Sequence, residues 1–69
     1  MDSRKTIGGN VRRFRKDLDW TQEKLGARLK VTNEFISRLE NGTEYPSIRL
    51  LEQMAKLMDR KLFEFFVER

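Results

Sequence analysis

Residues Thr21 to Gly42 read TQEKLGARLKVTNEFISRLENG. Thr21 and Thr32 each stand just before a run of helix formers, where a threonine hydroxyl can accept a first-turn backbone N–H. Leu25 and Leu29 recur at i, i+4 in the first run. Phe35, Ile36 and Leu39 line one side of the second. Lys30-Val31 makes the turn between them, and Asn41-Gly42 stops the second helix. Gly26 falls mid-helix, an unfavourable choice unless a neighbouring helix packs tightly there. The stretch is therefore expected to fold as two short helices joined by a tight turn.

Upstream, Ile7, Val11, Phe14 and Leu18 recur at i, i+4, i+7, i+11, one apolar stripe of a first helix. Ser3 or Thr6 is placed to cap it. Gly8 and Gly9 weaken its first turns by about 1 kcal/mol each relative to alanine. They mark either a close approach by another segment or a frayed end. Downstream, Thr43 to Pro46 form a loop and Ser47 caps a fourth helix, with Ile48, Leu51, Met54, Ala55 and Met58 inward. Asp59-Arg60-Lys61 break that helix, and Leu62, Phe65 and Phe66 give a short closing one. No useful stretch alternates with period two. The expectation is all-α: a compact bundle of five short helices forming a single domain over residues 1–69, with the two-helix unit as helices two and three.

A chain of 69 residues holds one small core, which tight helical packing or dimerisation would help to stabilise. It has no cysteine and no histidine. Disulfides, thiolate metal sites and most nucleophilic or imidazole chemistry are thereby excluded, and no metal or cofactor is expected. The apolar runs are far too short for a membrane span, and the N-terminus has no leader pattern. A cytoplasmic protein is the expectation. Net charge is +4. Residues 1–16 carry Arg4, Lys5, Arg12, Arg13, Arg15 and Lys16 against Asp2, a basic quarter that suits phosphate or is simply a solvated face.

The segments IGGNVRRFR (7–15), TQEKLGARLKVT (21–32), FISRLENG (35–42) and PSIRLLEQMAKLM (46–58) together resemble the Cro and phage-repressor type of helix-turn-helix domain, the XRE-like family. The likeness spans residues 7–66. It implies that the second helix of the unit lies in the DNA major groove with its N-terminal residues at base edges. Those residues are Thr32, Asn33, Glu34, Ser37 and Arg38. Arg38 suits guanine, Asn33 adenine, and Glu34 a cytosine amine. The likeness also implies that Gln22 touches phosphate or braces the recognition helix, and that side chains and backbone N–H groups at Asn41, Gly42 and Thr43 meet phosphate. Arg12 and Arg13 are further candidates for phosphate. Arg15 and Glu40 match a family pair that joins helix one to the end of helix three.

Two departures stand out. Asp19, Lys30 and Asp59 occupy turn positions where the family usually has glycine, so positive φ is expected at non-glycine residues. Leu50, Leu57, Phe63 and Val67 fall where the family often has polar side chains, and are read as a two-fold interface, the alternative being that one or two of them complete the monomer core. The resulting expectation is a sequence-specific regulator binding double-stranded DNA, a homodimer on an inverted repeat, from a prokaryote or phage. No enzyme activity, small-molecule ligand or membrane contact is expected. The alternative is a protein-interaction adaptor with the same fold and little DNA affinity, which would lack the steep salt dependence of DNA binding.

Overall fold

In the computed structural model, which describes residues 2–69, four α-helices and a final 3-10 helix enclose one hydrophobic core. The helices are α1 (Arg4–Asp17), α2 (Gln22–Leu29), α3 (Asn33–Glu40) and α4 (Ile48–Met58), followed by the 3-10 helix Leu62–Phe66. No strand occurs among the described residues.

Local chemistry sets most of the boundaries. Thr21 Oγ1 accepts the Lys24 N–H, Thr32 Oγ1 the Phe35 N–H, and Ser47 Oγ the Leu50 N–H, each at 3.0 Å. Each such cap stabilises its helix by about 1 kcal/mol. α1 starts differently. Ser3 holds the N-cap position without a side-chain cap bond, and its hydroxyl lies 3.1 Å from the Tyr45 hydroxyl instead. The Asp2 carboxylate accepts the Arg4 N–H at 3.0 Å and thereby satisfies a first-turn donor.

Three helices end on a left-handed residue: Asp19 after α1 (φ 59°), Lys30 after α2 (φ 61°) and Asp59 after α4 (φ 56°). All three departures from the usual glycine thus keep the glycine backbone. At Lys30 the turn is closed by Lys30 N–H on Ala27 O and Val31 N–H on Gly26 O.

Ile7, Val11 and Phe14 of α1, Leu25 of α2, Ile36 and Leu39 of α3, and Leu51, Met54, Ala55 and Met58 of α4 surround Phe65. Phe14 and Phe65 meet edge to face, their centroids 5.2 Å apart. The Arg60 guanidinium lies 4.0 Å from the Phe14 ring centroid. Asn10, buried in α1, donates from Nδ2 to the carbonyls of Phe65 and Val67 at 2.9 Å each, and accepts from Arg69 Nε at 2.8 Å. This one amide fastens the last residues to the first helix.

Several inward assignments are corrected. Leu18 follows the last turn of α1 and is exposed, as is Ile48, the first residue of α4. Leu29 and Phe35 keep their inward assignment, half-buried and packed against the core. The closing segment is 3-10, with about 3.0 residues per turn instead of 3.6. Its faces therefore pair Leu62 with Phe65 inward and Phe63 with Phe66 outward. Phe66 is exposed, and Val67, already extended, lies past the helix rather than one α-turn from Phe63. Leu50 and Leu57 are half-buried against the core, so they do not form a single exposed patch with Phe63 and Val67.

Candidate nucleic-acid interface

α3 is held by backbone approach as well as by side chains. A Cβ on Gly8 would stand 2.1 Å from the Leu39 carbonyl oxygen, so α1 and α3 touch where α1 has no side chain. A Cβ on Gly26 would stand 2.8 Å from the Val31 carbonyl oxygen, which explains the glycine inside α2. Glycine at these two sites brings α3 and the turn before it against the rest of the molecule.

Glu40, the last residue of α3, is the polar anchor. Its side chain is 1% exposed and Arg15's is 9% exposed. Arg15 Nε donates to Glu40 Oε2 at 2.7 Å and Nη2 to Oε1 at 2.9 Å, a bidentate pair. Arg15 Nη1 donates to the Trp20 carbonyl at 2.7 Å, and Gln22 Nε2 to Glu40 Oε1 at 3.1 Å. One carboxylate thus joins α1, α2 and α3. The hydrogen bonds that Arg15 donates to Glu40's carboxylate hold the Arg15 pKa above the ordinary arginine value. A pair this buried adds little net stability, but removing one partner strands the other. Among the described residues, no buried side-chain polar atom lacks a partner.

With Ile36, Leu39 and Glu40 turned inward, the opposite side of α3 is free. Thr32, Asn33, Glu34 and Arg38 are exposed and Ser37 is half-buried. Thr32 is at once the cap of α3 and part of this face. The residues sit at helical spacing on one side of an eight-residue rod whose back is fixed.

The flanking candidates sort differently. Arg12 is exposed, with Nε 4.0 Å from Glu40 Oε1, beside the end of α3. Arg13, one residue on, faces a surface hollow lined with Lys5, Asn10 and Arg69, near the chain's last residues. The 100° step of the helix separates them, and only Arg12 is brought to α3. Gln22 is half-buried and already donates to Glu40. Asn41 and Thr43 are exposed. Their backbone N–H groups are committed, however: Asn41 to Ser37 O, Gly42 to Leu39 O and Thr43 to Arg38 O. The expected phosphate contacts from these three N–H groups are therefore corrected. The donors finish α3; the Asn41 side chain is exposed, and the Thr43 hydroxyl, also exposed, donates to the Arg38 carbonyl at 3.2 Å.

Sequence reasoning missed two contacts at this edge. Arg38 Nε donates to Glu44 Oε1 at 3.3 Å across the turn after α3. Arg4, held by Asp2, lies over the Tyr45 ring at 5.5 Å, and the Tyr45 hydroxyl meets Ser3. Neither pairing follows a helical or strand period, so no local pattern announces it. Among the described residues, no group of three potential metal ligands occurs, and no helix is long and apolar enough to cross a membrane.

A polar helix face standing on a rigid two-helix unit is the arrangement of a major-groove reader. The helix-turn-helix family profile matches residues 11–65. An uncharacterized HTH-type transcriptional regulator of Sinorhizobium fredii is 34% identical over 58 residues, covering 84% of this chain and 75% of that one. Another from Methanothermobacter thermautotrophicus is 39% identical over 54 residues, 78% of each chain. A crystal structure described as a hypothetical transcription factor from Neisseria shares the fold, with a TM-score of 0.88 at 22% identity, over 97% of this chain and 77% of that one. The chain belongs to the XRE-like helix-turn-helix family of DNA-binding transcription regulators, which are not enzymes.

Proposed function

We propose that this chain is a sequence-specific regulator that acts by occupying an operator in double-stranded DNA, as a homodimer on an inverted repeat. Residues 1–69 act as one domain, in the cytoplasm of a prokaryotic or phage-infected cell. The observation that carries the reading is the free polar face of α3, whose back is fixed by the Gly8 and Gly26 approaches and by Arg15–Glu40. A reader that does not move loses little freedom on binding. In this reading Thr32, Asn33, Glu34, Ser37 and Arg38 meet base edges. Arg12, Asn41 and Thr43 meet phosphate, Gln22 braces the unit, and Arg13 adds charge from farther away. Phe63 and Phe66, outward on one face of the closing helix, supply the apolar centre of the two-fold contact, with exposed Val67 following them, while half-buried Leu50 and Leu57 belong to the monomer core.

Selection of bound sites from random duplex DNA tests the reading. One preferred half-site, repeated with two-fold symmetry, is the expected result. Arg38→Ala then weakens the selected site by about 1–3 kcal/mol and leaves random DNA alone, whereas Arg12→Ala weakens both and flattens the salt slope. Phe63→Glu with Phe66→Glu, both at exposed positions, gives a folded monomer by analytical ultracentrifugation with much weaker operator binding. A selection that enriches no sequence overturns the reading.

A further inference from the structure

Arg38 stands in the last turn of α3, and Glu44 lies six residues later. The turn between them is built on Arg38 itself. Thr43 donates both its backbone N–H (3.0 Å) and its hydroxyl (3.2 Å) to the Arg38 carbonyl. Gly42, at φ 79°, supplies the reversal that brings the chain back. Glu44 is thereby delivered to the Arg38 side chain, with Oε1 3.3 Å from Nε.

The atom used matters. A guanidinium has five N–H donors in a fixed fork. It can meet guanine O6 and N7 from its end, through both terminal nitrogens, or from its side, through Nε and one terminal nitrogen. Glu44 occupies Nε. Among the described residues neither Nη1 nor Nη2 of Arg38 makes a hydrogen bond, so the end-on edge is left open. A carboxylate at this position also disfavours close approach of phosphate oxygens to Arg38, while a guanine edge brings no such charge.

We propose that Glu44 is a specificity-determining positioning residue, which aims the end of the Arg38 guanidinium at a base and keeps it from serving as a general phosphate contact. This rests on the reading of α3 as the base-reading helix and deepens it. The pair is exposed on both sides, so it contributes little to stability, and its loss is read in DNA discrimination rather than in folding. On random DNA, wild-type Arg38 is neutralised by Glu44. Without Glu44, it is one more cation available to phosphate.

The test is the ratio of affinities for the selected site and a random duplex, measured across salt for wild type, Glu44→Gln, Glu44→Asp, Arg38→Ala and Arg38→Ala/Glu44→Gln. Glu44→Gln is expected to tighten random-duplex binding several-fold and to steepen its salt slope by about 0.9, the increment for one further phosphate neutralised. The discrimination ratio falls roughly tenfold, the size of one lost base preference. Glu44→Asp keeps the charge but not the reach, and lowers the ratio by part of that amount. In the Arg38→Ala background, Glu44→Gln leaves the ratio unchanged, because the residue it acts through is gone. An unchanged ratio in Glu44→Gln overturns the proposal, as does an equal fall in the Arg38→Ala background. Glu44→Asp matching wild type also overturns it, since charge alone would then suffice. A wild-type chain with no preference for any sequence overturns the base-reading role of α3 as well. A strong wild-type preference that is indifferent to Glu44 overturns this inference alone.

Discussion

Gly8 and Gly9 are adjacent in α1, yet alanine at the two positions is expected to act with opposite sign. At Gly8 the new Cβ meets the Leu39 carbonyl oxygen at 2.1 Å and the Glu40 carbonyl oxygen at 2.9 Å. An ordinary carbon–oxygen contact is about 3.3 Å or more, so α1 and α3 must separate by roughly 1 Å. Both sides of the clash are backbone, and no rotamer relieves it. Overpacking of this kind costs about 1–3 kcal/mol, only part of which the helix propensity of alanine offsets. At Gly9 nothing lies within 4 Å of the new methyl, so the residue gains helix propensity of about 0.5–1 kcal/mol with no packing penalty. In a domain this small each kcal/mol moves Tm by roughly 4–8 °C. Thermal unfolding followed by circular dichroism should show Gly9→Ala several degrees above wild type and Gly8→Ala below it by up to roughly 20 °C. Equal shifts, or stabilisation by Gly8→Ala, would refute the close contact of α1 with α3 and with it the seating of the reading helix.

Glu40→Ala strands the buried Arg15 guanidinium and is expected to cost about 3–5 kcal/mol, comparable with the whole stability of a chain this short. Urea unfolding checks it, and Arg15→Met with Glu40→Leu should recover most of the loss. Lys30→Gly, at φ 61°, should raise the urea midpoint by up to about 1 kcal/mol in stability, because glycine removes the left-handed strain. A lowered midpoint would mean that the Lys30 side chain itself supports the turn.

The parts of the fold that were legible in the sequence are those set by local chemistry. Thr21, Thr32 and Ser47 act three residues away, so their caps can be read directly from order along the chain. The positive φ at Asp19, Lys30 and Asp59 follows from the turn positions they occupy in the family pattern. The closing helix was misread because five residues cannot distinguish a period of 3.0 from one of 3.6. That difference exchanges Phe63 and Phe66 for Phe63 and Val67 on the outer face. Asn10 had no signal at all. Its partners are 55, 57 and 59 residues away, and a lone asparagine in a helix looks like an ordinary solvated residue. At the site, the polar row of α3 was legible from helical spacing. The separation of Arg12 from Arg13 depends on where α1 sits against α3, and the Arg38–Glu44 bond depends on the path of a turn. Neither is written in a period.

The central claim is that the outer face of α3 is the surface that meets DNA. Titration of the labelled protein with its selected duplex, followed by backbone amide NMR shifts, tests it most directly. The largest changes should fall on Asn33, Glu34, Ser37 and Arg38, with smaller ones at Arg12, Asn41 and Thr43, and little change on the surface formed by Glu52, Gln53 and Lys56 of α4. Changes concentrated on that α4 surface, with the α3 amides unmoved, would contradict the account.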